Sequence, residues 1–137
     1  MRHRKRVYTG GMELHYPRIW KSLAWLGVAA TVYLSLTPRP PDLELVPRGD
    51  LWGHFLAYGL LAWWSVQAFG SRNECNVGMG LVAMGLTLEL IQGLSGYRTF
   101  DLLDFAADVA GVGVGLKTAK HLTLLPLLDR HLVRLRS

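Results

Sequence analysis

Eight polar side chains stand at helical spacings within otherwise apolar sequence. His54 and Tyr58 are four apart, Glu89 and Gln92 three apart, and Asp101, Asp104 and Asp108 recur at i, i+3 and i+7, preceded by Arg98. Residues at these spacings stack along one face of a helix. A carboxylate held by a buried face can serve as a general base, an imidazole can pass protons near neutral pH, and a guanidinium can hold an anion. His54 with Glu89 and Asp104 or Asp108 also offers nitrogen and oxygen ligands. No H-E-x-x-H or other fixed ligand spacing accompanies them, so no metal and no other cofactor is expected. The chain has no G-x-S-x-G, no P-loop and no dinucleotide fingerprint, which argues against the familiar enzyme classes.

These residues matter because of the segments that carry them. Of 137 residues, 50% are hydrophobic, and they gather into long runs separated by short polar connectors. That is the pattern of a bilayer-spanning chain. A basic arm, 1–18, precedes an apolar stretch at about 19–36, closed by Pro38, Pro40 and Pro41. A connector with Asp42, Glu44 and Asp50 leads to stretches at about 51–69, 77–94 and 100–116, joined by tight polar turns. The sequence therefore predicts an all-α integral membrane bundle of about four transmembrane helices spanning 19–116. The tail, 117–137, mixes leucine with Arg130, His131, Arg134 and Arg136 and reads as an interfacial segment. The first stretch is too long for a signal-peptide core and lacks a small-x-small cleavage site, so it is read as retained. The single cysteine, Cys75, falls in a predicted turn and has no partner for a disulfide or a thiolate metal site.

Charge placement gives the orientation. With four spans and a cytoplasmic N-terminus, twelve of the fifteen lysines and arginines face the cytoplasm; the other three, Arg39, Arg48 and Arg98, face outward. Both termini are thus placed inside, in a multi-pass protein of the plasma (inner) membrane. Because the basic residues cluster at the chain ends and connectors, the net charge of +5 has a membrane explanation, and no nucleic-acid partner is expected. In this orientation His54, Tyr58, Glu89, Gln92, Arg98, Asp101, Asp104 and Asp108 all fall in the outer half of the bilayer or at its edge. Polar residues can act as structural glue between membrane helices, at about 0.6 kcal/mol each. Glue does not require three aspartates, a glutamate and a histidine at one depth, so an outward-facing polar site is expected. Gly111-x-x-x-Gly115 continues the Asp104/Asp108 stripe as a small-residue face for close helix packing, within the chain or in a homo-oligomer.

The ordered set Asp50-x-x-x-His54-Phe55-x-x-Tyr58, Glu89-x-x-Gln92 and Arg98-x-Phe100-Asp101-x-x-Asp104-x-x-x-Asp108-x-x-Gly111-x-x-x-Gly115 resembles the VanZ-like family of small membrane proteins, over about half of the chain. The chain departs from that family at Asp108, where asparagine is usual. The resemblance implies a membrane protein of the cell envelope. The family's founding member is associated with low-level resistance to teicoplanin, a glycopeptide that binds cell-wall precursors on the outer side. Membrane lipids, and a lipid-linked cell-wall precursor, are the partners this implies. Three activities are compatible with the residues. The first is binding of a lipid headgroup, wall precursor or partner. The second is acid/base catalysis on a phosphorylated or glycosylated lipid, with Glu89 or Asp108 as base, His54 as its partner and Arg98 as anion clamp. The third is a proton or ion relay, for which the cluster stops short of the inner half.

Overall fold

The computed structural model describes residues 8–9, 12–38 and 47–136. Five helices make up nearly all of this: α1 (Pro17–Leu36), α2 (Gly49–Phe69), α3 (Glu74–Leu94), α4 (Leu102–His121) and α5 (Leu125–Arg136). A 3-10 turn, Ser71–Asn73, joins α2 to α3, and a two-residue antiparallel ladder, β1 (Tyr8–Thr9) with β2 (Met12–Glu13), precedes α1. The expectations for Arg2, Arg4, Lys5, Arg6, Arg39, Pro40, Pro41, Asp42 and Glu44 fall outside the described residues.

The helix ends follow local chemistry. Pro17 opens α1, where its missing N–H is no loss, and Pro38 lies just past its last turn. α2 stops at Gly70, whose φ of 92° suits glycine, and the Asn73 side chain donates to the Phe69 carbonyl there. Asp101 caps α4 by accepting the Leu103 N–H at 2.8 Å. The fourth helix therefore begins two residues later than the predicted 100. It also runs past 116 to His121, because Lys117, Lys120 and His121 suit a helix C-terminus that emerges into a polar zone. Cys75 is an exposed residue of the first turn of α3, not of a loop, since that helix starts at Glu74. The tail is divided between the end of α4 and the separate helix α5.

Helices of 20–21 residues rise about 30 Å, the thickness of a bilayer core. Two segments, Pro17–Leu36 and Ser71–Leu94, are long and apolar enough to cross a membrane. α2 and α4 have similar length and carry the polar residues that lower their apolar content. α1 to α4 alternate in direction, as cross-links at both ends show. At one end the C-terminus of α3 reaches that of α1: Gln92 donates to the Ser35 carbonyl, and Tyr97 beyond α3 to that of Leu36. At the other, the C-terminus of α2 meets the start of α1 and of α5.

The packing is apolar outside and polar inside. Trp25, Leu26, Tyr33, Leu60, Met79 and Leu102 are each more than 60% exposed, whereas Gln67, Glu89, Gln92, Asp104, Asp108 and Asp129 are buried. Water-soluble proteins rarely present so much large apolar surface. The closest helix pair is α2 with α4. A Cβ added at Gly111 would meet the Phe55 carbonyl oxygen, and one at Gly115 the Gly59 carbonyl oxygen. The Gly111/Gly115 face is therefore packed against α2 of the same chain.

Candidate functional site

The close α2–α4 contact sets the position of the polar residues. With backbones touching at Gly59, Gly111 and Gly115, side chains one and two turns nearer the start of each helix project towards each other. His54 on α2 places Nδ1 2.9 Å from Asp108 Oδ1 on α4, and its Nε2 lies 3.7 Å from Asp104 Oδ2 one turn earlier. The imidazole is thus held between two carboxylates. α3 closes the third side through Gly85, where an added Cβ would stand 2.8 Å from Asp108 Oδ2 and 3.4 Å from the Tyr58 ring. Any larger residue at position 85 would displace the Asp108 carboxylate.

Glu89, one turn beyond Gly85 on α3, is 1% exposed and accepts the Asp101 N–H at 3.2 Å. One ligand atom from each of His54, Glu89 and Asp108 lies within 4.8 Å of the other two. Tyr58, also 1% exposed, has its hydroxyl within electrostatic reach of both Asp108 and Glu89. Among the described residues, that hydroxyl and Asp104 Oδ1 are buried without a hydrogen-bond partner. Buried polar atoms are nearly always paired, and an unpaired one costs about 1–3 kcal/mol. Three carboxylates and one imidazole in a low-dielectric interior also carry an excess of acid over base. Both facts describe a site that the described residues leave incompletely paired.

Of the eight residues singled out by sequence, the structure brings His54, Tyr58, Glu89, Asp104 and Asp108 together. Asp101 and Arg98 lie at the edge: Asp101 is the α4 cap, and Arg98 sits half-buried within electrostatic reach of Asp104. Gln92 belongs elsewhere, because its amide is spent on the Ser35 carbonyl at 2.6 Å and ties α3 to α1. His54 and Tyr58 do not satisfy one another, since the His54 ring turns to the two aspartates. Gly59 and Gly85 are essential to the arrangement and were not singled out. Each is the small residue that faces a stripe on a neighbouring helix, and only the helix pairing reveals which glycine does so.

A second buried polar cluster lies at the opposite end of the bundle. Asp129 on α5 is 1% exposed and accepts from the His15 N–H at 2.6 Å, the Tyr16 N–H at 3.0 Å and the Trp20 indole at 2.8 Å. His15 Nδ1 adds a fourth contact at 3.0 Å. Burial alone would push this carboxyl up, but the Trp20, His15 and Tyr16 hydrogen bonds outweigh it and hold Asp129 below the usual carboxylate range. Gln67 completes the knot, accepting the Leu125 N–H at 3.2 Å and, on its backbone carbonyl, the Thr9 hydroxyl. Around it pack Leu14, Trp20, Ala24, Ala68 and Leu125. Among the described residues no buried side-chain polar atom is left unpaired here, and the result is a clasp between α5 and the start of α1. Neither Asp129 nor Gln67 has a local motif; each is a lone polar residue whose partner is distant in sequence.

Comparison of the chain with protein-family models, curated proteins and solved structures finds no match.

Proposed function

We propose that the chain is a four-span membrane protein of the cell envelope, both termini cytoplasmic, that binds an envelope ligand through the acidic cluster at the outer end of the bundle. Four helices of bilayer length, alternating in direction and clothed in exposed leucine and tryptophan, support the four-span reading. The distribution of lysine and arginine supports the orientation. The observation that carries the function is the contrast within one protein between a fully paired buried aspartate and a buried acid cluster left with an orphan hydroxyl and an orphan carboxylate oxygen. Unsatisfied acceptors of this kind suit a ligand that brings positive charge or hydrogen-bond donors, such as an amine-bearing lipid headgroup or a lipid-linked wall precursor. A VanZ-like role agrees with this placement.

Purified protein in nanodiscs, titrated with amine-bearing and amine-free lipid headgroup analogues, tests the reading. The amine-bearing analogue is expected to bind at least about tenfold more tightly than the amine-free one. The double variant Glu89→Gln with Asp104→Asn is expected to lose that preference. Equal binding by parent and variant would remove the site from the account.

One observation favours a second reading, catalysis on a lipid. His54 held by Asp108 at 2.9 Å is an oriented imidazole, the arrangement a general base requires. Turnover of a labelled phosphorylated or glycosylated lipid, abolished by His54→Gln, would support it over simple binding.

A further inference from the structure

We propose that His54, Glu89 and Asp108 form a binding site for a single divalent transition-metal ion of the zinc or manganese type. This deepens the proposed envelope-facing site, on which it rests for the route of entry, by naming the species that balances the acid cluster.

The donor set comes from three helices that packing holds together. His54 is on α2, Glu89 on α3 and Asp108 on α4, and one ligand atom of each falls within 4.8 Å of the others. Ligand atoms around one zinc ion, each about 2.0–2.2 Å from it, are separated by roughly 3.3 Å in tetrahedral geometry. A closure of the order of an ångström along side-chain torsions brings the three donors to that spacing. One imidazole and two carboxylates form the mixed nitrogen and oxygen set that suits zinc or manganese better than magnesium or calcium, which favour oxygen alone.

Two independent features point to an ion as well. Tyr58, 1% exposed, has its hydroxyl buried without a partner among the described residues and within electrostatic reach of both proposed carboxylate ligands. A metal-bound water would give that hydroxyl the partner it lacks. Asp104 supplies the outer contact that a ligating histidine usually has. Its Oδ2 lies 3.7 Å from His54 Nε2, the ring nitrogen remote from Asp108, and a short movement makes it the acceptor of the Nε2–H. That hydrogen bond fixes the tautomer with Nδ1 free to face the metal. Asp104 is then a positioning residue. Gly85 leaves room for the Asp108 carboxylate to swing, because nothing larger than hydrogen stands against Oδ2 there. Three protein ligands leave a coordination position open for water or for an oxygen of an incoming phosphate or carboxylate group.

The test is metal binding by the full chain, purified in detergent, stripped with chelator and dialysed against Zn²⁺, Mn²⁺, Mg²⁺ or Ca²⁺ alone. One Zn²⁺ or Mn²⁺ per chain is expected, with a rise in melting temperature on addition of the ion. Glu89→Gln, Asp108→Asn and His54→Gln should each weaken binding by more than about 100-fold, and Asp104→Asn by about 10-fold. Substitution by Co²⁺ should give visible absorption bands of low-coordinate cobalt in the parent that His54→Gln loses or shifts. Circular dichroism establishes that each variant is folded, and Asp129→Asn, at the far end of the bundle, should leave the affinity unchanged. Three results would overturn the assignment: no stoichiometric binding, binding of the same affinity in all variants (histidines elsewhere in the chain), or preference for Ca²⁺ or Mg²⁺. If the ion fails to bind while the headgroup preference persists, the inference falls and the proposed function stands. If the ion binds and no headgroup does, the reverse holds.

Discussion

At one end of the bundle Asp129 is 1% exposed and meets four nitrogen donors; at the other Asp108 is equally buried and meets one imidazole. Beside Asp108 stand two further buried carboxylates, an orphan Asp104 oxygen and an orphan tyrosine hydroxyl; beside Asp129 nothing is left unpaired among the described residues. The same residue type, at the same burial, stands in two different settings. Where the chain supplies every partner, the aspartate is a clasp that sets the position of α5 against α1. Where the described residues leave the acids incompletely paired, the helices hold them side by side. The scaffold for that lies elsewhere, in the α2–α4 backbone contact at Gly59, Gly111 and Gly115. Burial therefore does not distinguish the two clusters, but the balance of donors and acceptors does.

The comparison can be broken by equivalent substitutions at the two ends. Asp129→Ala orphans the buried Trp20 indole and three part-buried donors of His15 and Tyr16, and is expected to lower stability by about 3 kcal/mol, read from thermal unfolding in detergent. Hydrogen exchange should show α5 and the start of α1 released together. Gly115→Leu drives a side chain into the Gly59 backbone and is expected to cost about 3 kcal/mol by the same measurement. It should also abolish ligand or metal binding although residue 115 touches neither. Gln67→Leu removes the acceptor of the Leu125 N–H and is expected to cost about 2 kcal/mol, loosening α5 alone. Asp104→Asn should change stability by less than about 1 kcal/mol, and towards greater stability, because it removes one of three crowded acids. If Asp104→Asn destabilised as much as Asp129→Ala, the two clusters would be alike and the functional reading of the first would fail.

The pH response sharpens the same point at smaller scale. Asp129 is held below its unfolded pKa of about 3.9. The stability it gives is present above that value and is lost as pH falls through its lower folded one. Protection of the α5 amides, measured relative to the intrinsic exchange rate at each pH, is expected to be constant from neutral pH down to about 4 and to fall below it. In Asp129→Asn the protection should be lower throughout, with no step from this residue.

Much of this was legible in the sequence and some was not, for physical reasons. The apolar runs located all four long helices to within a few residues, because long apolar runs bounded by turn residues leave little freedom. The end of α4 was missed by five residues, since Lys117 and Lys120 read as the start of a tail, whereas basic residues suit the C-terminal turn of a helix. Helical spacing put His54, Glu89, Asp104 and Asp108 at one depth. It could not exclude Gln92, which shares a face with Glu89 but lies nearer the helix end and turns to α1. The three-helix ligand set has no sequence motif, because its spacing is set by helix packing and not by the chain. The Asp129 clasp was invisible for the same reason: its partners are about 110 residues away. The glycine face was found, but its partner Gly59 required the fold.

The central claim is that the acid cluster is reached from the outer side of the membrane and the α5 clasp is not. Labelling by a membrane-impermeant thiol reagent, applied to right-side-out vesicles, measures this directly. Cys75, exposed at the α5 end, serves as the internal probe in the parent; His54→Cys and Asp104→Cys, each in a Cys75→Ser background, report the cluster. The account predicts that His54→Cys and Asp104→Cys are labelled in sealed vesicles, whereas Cys75 is labelled only after permeabilisation. Labelling of Cys75 in sealed vesicles, with neither cluster position reacting, would contradict both the orientation and the outward-facing site.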